Sequence, residues 1–121
     1  MPHLTLQLSG NLASHADALL AATTAACEAS GLFTEAVVMA RAVVHTHWRV
    51  AQQGTGAFAD LVLRVRAGRP APVRAALGAS LAEALARVLR DAEPGTKTCI
   101  TCEIHEIDVD TRTLTFTGGT A

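Results

Sequence analysis

Hydrophobic and polar residues alternate along four stretches of the chain, at residues 4–8, 35–48, 58–66 and 97–107. A period of two residues is typical of a β-strand that has one buried face. Glycine, proline and small polar residues separate these stretches, as expected where a chain turns. The pattern therefore predicts four strands.

Two longer stretches repeat at the helical spacing of about 3.6 residues. In the first, Ser14 is a plausible N-cap and Gly31 favours termination, which predicts a helix between them. In the second, Pro70 and Pro72 suit the first turn of a helix that runs to about Arg90. The stripe residues are Leu12, Ala16, Leu19, Leu20, Thr23, Ala26 and Cys27 in the first helix, and Val73, Leu77, Leu81, Leu85, Val88 and Leu89 in the second.

The order strand, helix, strand occurs twice, which indicates an internal duplication of a βαβ unit. We assign residues 2–50 to the first unit and 57–108 to the second, with a polar, glycine-containing loop at 52–56 between them. A helical crossover makes the two strands that it joins parallel. The sequence thus predicts a single α/β (α+β) domain, with a four-stranded mixed sheet that carries both helices on one face.

The other sheet face and the C-terminal tail both indicate self-association. Because both helices lie on one side and half of the residues are hydrophobic, we expect other subunits to cover the second face. Residues 109–121 form the tail, in which 114–116 is predicted as a short strand. Such a strand could pair along the sheet edge of a neighbour.

The composition fits one domain and excludes two classes of partner. The chain has 121 residues and a formal net charge of −1, whereas nucleic-acid binding needs a clustered basic excess. No apolar run approaches the ~20 residues of a membrane-spanning helix, and the N-terminus lacks the pattern of a signal peptide. We therefore expect no nucleic acid, no membrane partner and a cytoplasmic location.

Cysteine and histidine spacings give weak indications of redox or metal chemistry. Cys27, Cys99 and Cys102 are an odd number, which argues against a disulfide framework. Cys99 and Cys102 match C-x-x-C, but residues three apart on a strand point to opposite faces. His45 and His47 share a strand face and could supply two metal ligands, although no third ligand accompanies them. We predict no metal site.

The start of the chain, Met1-Pro2-His3-Leu4, offers a candidate catalytic base. A small second residue normally allows removal of the initiator methionine, which would leave Pro2 as a free secondary amine. An α-amino group titrates near ~7.7–8.0, and burial beside cationic groups lowers its pKa. Such an amine could accept a proton at neutral pH. The alternative interpretation is that Pro2 is simply where the chain begins.

Two arginines are candidate anion-binding residues. Arg69 follows Gly68 between a predicted strand and a helix N-terminus, where backbone N–H groups attract carboxylates and a guanidinium can bind one with two hydrogen bonds. An exposed arginine in a turn would show the same pattern. Arg41 lies in an otherwise apolar strand and therefore needs a partner. An internal carboxylate, a neighbouring subunit and a bound anion remain open at this stage.

Taken together, four features resemble the 5-carboxymethyl-2-hydroxymuconate isomerase family of the tautomerase superfamily. They are the Met1-Pro2-His3 start that leads into the first strand, Gly31-Leu32-Phe33 before the second strand, Arg41 on that strand, and Ala67-Gly68-Arg69 before the second helix. The likeness extends in order and spacing over nearly the whole chain.

The resemblance implies a tautomerase-like homotrimer that uses no metal or organic cofactor. Pro2 would act first as general base and then as general acid, and would convert a dienol into its 2-oxo form. The typical substrate is 5-carboxymethyl-2-hydroxymuconate, an intermediate in the degradation of the aromatic compound homoprotocatechuate. By position, Arg69 and Arg41 would bind substrate carboxylates and stabilise the enolate. Phe33 could line the site, and His3 could tune the base.

The chain departs from some relatives at Met39, where they carry a basic residue two positions before the strand arginine. Met39 is predicted on the same strand face as Arg41, so an apolar contact replaces a cationic one near the substrate. This departure leaves open a catalytically silent trimer that keeps the fold and binds small organic anions. An interaction scaffold with no small-molecule site is the third hypothesis.

Overall fold

The computed structural model describes residues 1–34, 37–51 and 56–119, and these ranges form one sheet and two α-helices. The strands are β1 (His3–Ser9), β2 (Met39–His45), β3 (Ala57–Arg66) and β4 (Thr98–Ile107). The helices are α1 (Ala16–Ala29), which follows a 3-10 segment at Gly10–His15, and α2 (Ala71–Ala92). The four strands predicted for the sheet and both predicted helices are present, whereas the short strand predicted at 114–116 is not.

The sheet joins the two βαβ units side by side, in the strand order β2-β1-β3-β4. Strand β1 is parallel to β2, and β3 is parallel to β4, as the helical crossovers predict. The two units meet where β1 and β3 pair in antiparallel fashion, with His3 opposite Arg64. The start of β1 therefore lies beside the end of β3.

The core lies between the sheet and the two helices. Strand β1 contributes Leu4, Leu6 and Leu8, which are fully buried, and β3 places Leu63 beside Leu4 and Leu61 beside Leu6. The helices add further buried leucines to the same cluster, namely Leu19, Leu77, Leu81, Leu85 and Leu89. Both helices therefore pack on one face of the sheet, which confirms the prediction.

The first helix starts later than predicted. We expected it to begin after Ser14, but the chain forms 3-10 turns at Gly10–His15 and enters α1 at Ala16. These turns bury Leu12 completely. At the other end the chain leaves the helix through Gly31, whose φ of 73° lies in the left-handed region that glycine adopts without strain.

Strand β2 is shorter than the alternating stretch 35–48 that predicted it. It begins at Met39 and ends at His45, and the side chain of Val37 before it is 65 % exposed. Residues 35–36, together with the predicted loop residues 52–55, lie outside the part of the chain that the structure describes. Helix α2 continues to Ala92, slightly beyond its predicted end.

The second face of the sheet is open in the single chain, as predicted. Its side chains are half-buried or exposed and include His3, Thr5, Gln7, Arg41, Val43, Asp60, Val62 and Glu103. Most of these side chains are polar, whereas the prediction rested on an excess of apolar residues. A subunit that covers this face would therefore have to satisfy hydrogen bonds and charges as well as bury apolar area.

The C-terminal tail runs beyond β4 without joining the sheet of its own chain. Leu114, Thr115 and Phe116 adopt no strand there, and the side chains of Leu114 and Phe116 are 49 % and 75 % exposed. Pairing of this segment with a neighbouring subunit stays a prediction. Among the described residues, neither helix combines the length and the apolar character needed to cross a membrane.

Candidate active site

Pro2 lies immediately before β1, an inner strand of the sheet, and it is buried. Its carbonyl accepts a hydrogen bond from the backbone N–H of Met39 at 3.0 Å, which fixes it beside the start of β2. An open cavity of about 360 Å³ adjoins it, within the range of small-ligand sites. The cavity is lined by Met1, Pro2, Leu32, Phe33, Thr34, Arg66 and Arg69.

The guanidinium of Arg69 is held over this cavity by three contacts. Its Nη2 donates to the carbonyl of Leu32 at 3.0 Å, and its Nη1 donates to the carbonyl of Arg66 at 3.3 Å. Its Cζ lies 5.0 Å from the centre of the Phe33 ring, in cation–π contact. Because an arginine has five N–H donors, the remaining ones can still bind a carboxylate.

The loop that carries Arg69 is fixed at both of its ends. Gly68 has a φ of 121°, which side-chain-bearing residues rarely adopt, and its N–H donates to Oε2 of Glu106 at 3.0 Å. After the loop, Nε of Arg74 in α2 donates to the carbonyl of Arg69 at 3.1 Å. Strand β4 and helix α2 thus set the position of this arginine.

The electrostatic field at the cavity favours a neutral amine. The terminal amine, which belongs to Met1 here, has a pKa below its ordinary value of 8.0, first because of burial and then because of the guanidinium groups of Arg112 and Arg66. Burial and positive charge both disfavour the ammonium form. A role for the Pro2 amine as base stays a prediction.

His3 and Arg41 pair with each other on the open face of the sheet. Nη2 of Arg41 lies 3.0 Å from Nδ1 of His3, and because a guanidinium can only donate, the imidazole nitrogen accepts. The pKa of His3 is lowered, chiefly by burial and further by the charges of Arg64 and Arg41. A neutral His3 is thus the partner of Arg41 within the single chain.

The structure brings together only part of the predicted site. Pro2, Phe33 and Arg69 line one cavity, whereas His3, Met39 and Arg41 are not among its lining residues in the single chain. Contact of these three residues with a substrate stays a prediction.

Sequence reasoning missed four residues at or near this cavity, namely Leu32, Thr34, Arg66 and Arg112. Arg66 reaches the cavity because β1 and β3 pair in antiparallel fashion, which brings the end of β3 to the N-terminus. No local motif marks Arg112, because it comes from the tail.

The candidates His45, Cys99 and Cys102 for metal or redox chemistry lie in β2 and β4. Nε2 of His45 lies 2.8 Å from Oε1 of Gln7, and its ring contacts Phe58. Cys99 is exposed while Cys102 is half-buried, as expected for opposite faces of β4, and burial raises the pKa of the Cys102 thiol to about 11. Across the described residues, no three His, Cys, Asp or Glu side chains are grouped as metal ligands would be.

Comparison with known proteins agrees with this architecture. The model of the 5-carboxymethyl-2-hydroxymuconate isomerase family matches residues 2–115. A solved 5-carboxymethyl-2-hydroxymuconate isomerase from Deinococcus radiodurans R1 is 24 % identical, has a TM-score of 0.82, and aligns over 94 % of this chain and 88 % of its own. A solved 5-carboxymethyl-2-hydroxymuconate delta-isomerase is 21 % identical, has a TM-score of 0.78, and aligns over 97 % of this chain and 89 % of its own. No curated protein sequence matches the chain significantly.

A more distant likeness is to a fused 4-OT symmetric trimer, at 21 % identity and a TM-score of 0.57, over 86 % of this chain and 85 % of the other. At these identities the solved structures show a shared fold. The predicted tautomerase-like fold is therefore confirmed.

Proposed function

The chain belongs to the 5-carboxymethyl-2-hydroxymuconate isomerase family, and we propose that it is an enol–keto tautomerase whose base is the amine of Pro2. The observation that carries the proposal is the cavity that Pro2 shares with the held guanidinium of Arg69. The lowered pKa of the adjacent Met1 amine supports it, because burial and positive charge would act on a Pro2 amine in the same direction. The substrate class is a small unsaturated carboxylic acid, such as 5-carboxymethyl-2-hydroxymuconate.

The proposed reaction moves one proton within the substrate. Removal of Met1 makes Pro2 the N-terminal residue, and its neutral amine takes the proton of the enol hydroxyl, so that an O–H bond breaks and a prolinium forms. The prolinium then gives the proton to a carbon of the dienolate, where a C–H bond forms and the 2-oxo group remains. Atoms and charge balance without a co-reactant.

The arginines have a separate role in this proposal. Arg69 binds a substrate carboxylate with its remaining donors, and its charge stabilises the dienolate that forms between the two proton transfers. Arg41 lies on the open face of the sheet, and in this proposal it supplies its guanidinium to the active site of a neighbouring subunit. The assembly proposed is a homotrimer, in agreement with the symmetric trimers among solved structures of this fold.

Ketonisation of 2-hydroxymuconate and its 5-carboxymethyl derivative, followed by ultraviolet absorbance, tests the proposal. Pro2→Ala should lower kcat/KM by about 10²-fold or more, the contribution of a placed general base. Arg69→Ala should lower kcat/KM by roughly 10- to 100-fold, the contribution of a charged hydrogen bond. Pro94→Ala and Arg87→Ala, whose side chains lie outside the cavity, are the matched controls.

Intact-protein mass supplies an independent check, because the proposal requires a chain that lacks Met1. Retention of the methionine would contradict a role for the Pro2 amine. If the unmodified protein ketonises neither compound faster than buffer but still binds unsaturated dicarboxylates, the silent anion-binding trimer becomes the better description. If it neither turns over nor binds them, the interaction scaffold remains.

A further inference from the structure

Arg66, the last residue of β3, borders the same cavity as Pro2 and Arg69. Its position follows from the antiparallel pairing of β1 with β3. Because His3 lies opposite Arg64, the residues that follow Arg64 lie beside those that precede His3. On the other side of Pro2 stands Met39, which carries no charge. Of these two neighbours of Pro2, only Arg66 on β3 is positively charged.

The side chain of Arg66 has no partner within residues 1–34, 37–51 and 56–119, whereas those of Arg69 and Arg41 do. Arg69 is held by two main-chain carbonyls, and Arg41 donates to His3. Over the same ranges, the side chain of Arg66 takes part in no hydrogen bond or ion pair, and it is exposed to solvent. Its five donors are therefore available to a ligand in the cavity.

Within the described ranges, both charged side chains that line the cavity are positive. Among the described residues, no aspartate or glutamate lines it, while Arg66 and Arg69 both do. Arg112, from the tail, adds a third positive charge close enough to lower the pKa of the terminal amine and of His3. A ligand with a single carboxylate would neutralise only part of this charge.

We propose that Arg66 binds a second carboxylate of the substrate while Arg69 binds the first, so that Arg66 makes the site selective for dicarboxylates. The proposal rests on the proposed function and assigns a specificity-determining role to Arg66. The reacting dienol would then be held at two carboxylates, which limits it to one orientation at the Pro2 amine.

Sorbate and trans,trans-muconate provide a matched pair of probes, because they differ only in a terminal methyl group that is a carboxylate in muconate. Isothermal titration calorimetry would measure the Kd of each for the unmodified protein and for Arg66→Met and Arg87→Met. We expect Arg66→Met to weaken muconate binding by roughly 10- to 100-fold, as for a lost charged hydrogen bond, and to change sorbate binding by less than about twofold. Arg87→Met, which removes an exposed charge on α2, should change neither Kd.

An equal loss of affinity for both probes would overturn the proposal, because a general electrostatic effect does not distinguish the second carboxylate. So would unchanged muconate binding in Arg66→Met. These outcomes are separate from failure of the proposed function, because the Kd ratio needs no turnover. If the protein ketonises its substrate and Arg66→Met lowers kcat/KM equally for a monoacid and a diacid enol, the tautomerase stands and the role of Arg66 falls.

Discussion

At the scale of single residues, the structure shows positions where one side chain sets the local geometry. Gly10 begins the 3-10 turns that follow β1, and it lies against the end of β2. A Cβ at this position would lie 2.7 Å from the carbonyl oxygen of His45 and 2.7 Å from Cζ3 of Trp48. The sequence marks this glycine only as part of a turn.

We expect Gly10→Ala to lower the free energy of unfolding by about 1–3 kcal/mol, the usual cost of overpacking. Trp48 can move because it is partly exposed, but the carbonyl of His45 belongs to β2 and cannot easily yield. Urea denaturation would measure the change. Gly95→Ala is the control, because a Cβ added at Gly95 would meet no atom within 4 Å and its φ is not positive. Its unfolding free energy should stay within about 0.5 kcal/mol of that of the unmodified protein.

A second residue-scale prediction concerns pH. Burial first, and then the charges of Arg112 and Arg66, lower the pKa of the terminal amine of Met1 by disfavouring its ammonium form, and the same groups would act on a Pro2 amine. Arg112→Met should raise that pKa towards its ordinary value, so the acid side of the kcat/KM profile should move to higher pH. The sign follows because the base must be neutral to act: a higher pKa leaves less neutral amine at any pH below it.

The measurement is kcat/KM against pH for the unmodified protein, Arg112→Met and Arg87→Met, with the same substrate throughout. The Arg87→Met profile should coincide with that of the unmodified protein. An acid limb that stays in place in Arg112→Met would show that this arginine does not act on the catalytic amine.

At the scale of elements, the connection between β3 and α2 positions Arg69 at the cavity. It needs a glycine at position 68 for its positive φ, and it is tied to β4 by the bond from the Gly68 N–H to Glu106. The next residue, Arg69, reaches back to the carbonyl of Leu32, beyond the end of α1. Three separate segments therefore fix one guanidinium.

Glu106→Ala should weaken substrate binding, because the loop loses its link to β4 and Arg69 is held less firmly. We expect KM to rise roughly threefold to tenfold while kcat changes little, the effect of one hydrogen bond. Glu106→Gln keeps an oxygen acceptor and should restore much of the binding, which a loss of negative charge alone would not explain. Glu83→Ala on α2 is the control, and equal kinetics for Glu106→Ala and the unmodified protein would contradict a positioning role.

At the scale of the whole molecule, one face of the sheet is uncovered in the single chain. Its centre contains Val62 of β3 beside Thr5 of β1, with polar side chains around them. Pairs such as Arg41 with His3 and Thr101 with Asp60 already satisfy part of this polarity within the chain. A subunit interface on this face would therefore combine polar and apolar contacts.

Val62→Glu should dissociate the proposed homotrimer, because it places an unpaired charge at the centre of that face. Sedimentation velocity would detect the change as a shift towards the monomer mass of 12.6 kDa. Ala79→Glu introduces the same charge on the exposed side of α2 and should leave the assembly intact. Persistence of the trimer in Val62→Glu would place the interface elsewhere.

Much of the fold could be predicted from the sequence, because local patterns carry it. Alternation at residues 4–8 and 58–66 identifies strands that alternate between the core and the other face, and the leucine spacing of α2 identifies its buried stripe. Boundaries were less accurate. The 3-10 turns at Gly10–His15 and the late start of β2 depend on packing against other segments, which periodicity does not describe.

For the site, sequence alone was enough to identify Pro2 and Arg69 as candidates, since a chain start and a strand–helix junction are recognisable locally. Phe33 was a candidate through the family resemblance. It took the folded chain to show that Arg66 lies at the same cavity and that Arg41 pairs with His3 across β1 and β2. These contacts follow from the strand order and from the antiparallel pairing of β1 with β3. The physical reason is that hydrophobic periodicity fixes which way a side chain faces, whereas the choice of neighbouring strand fixes what it meets.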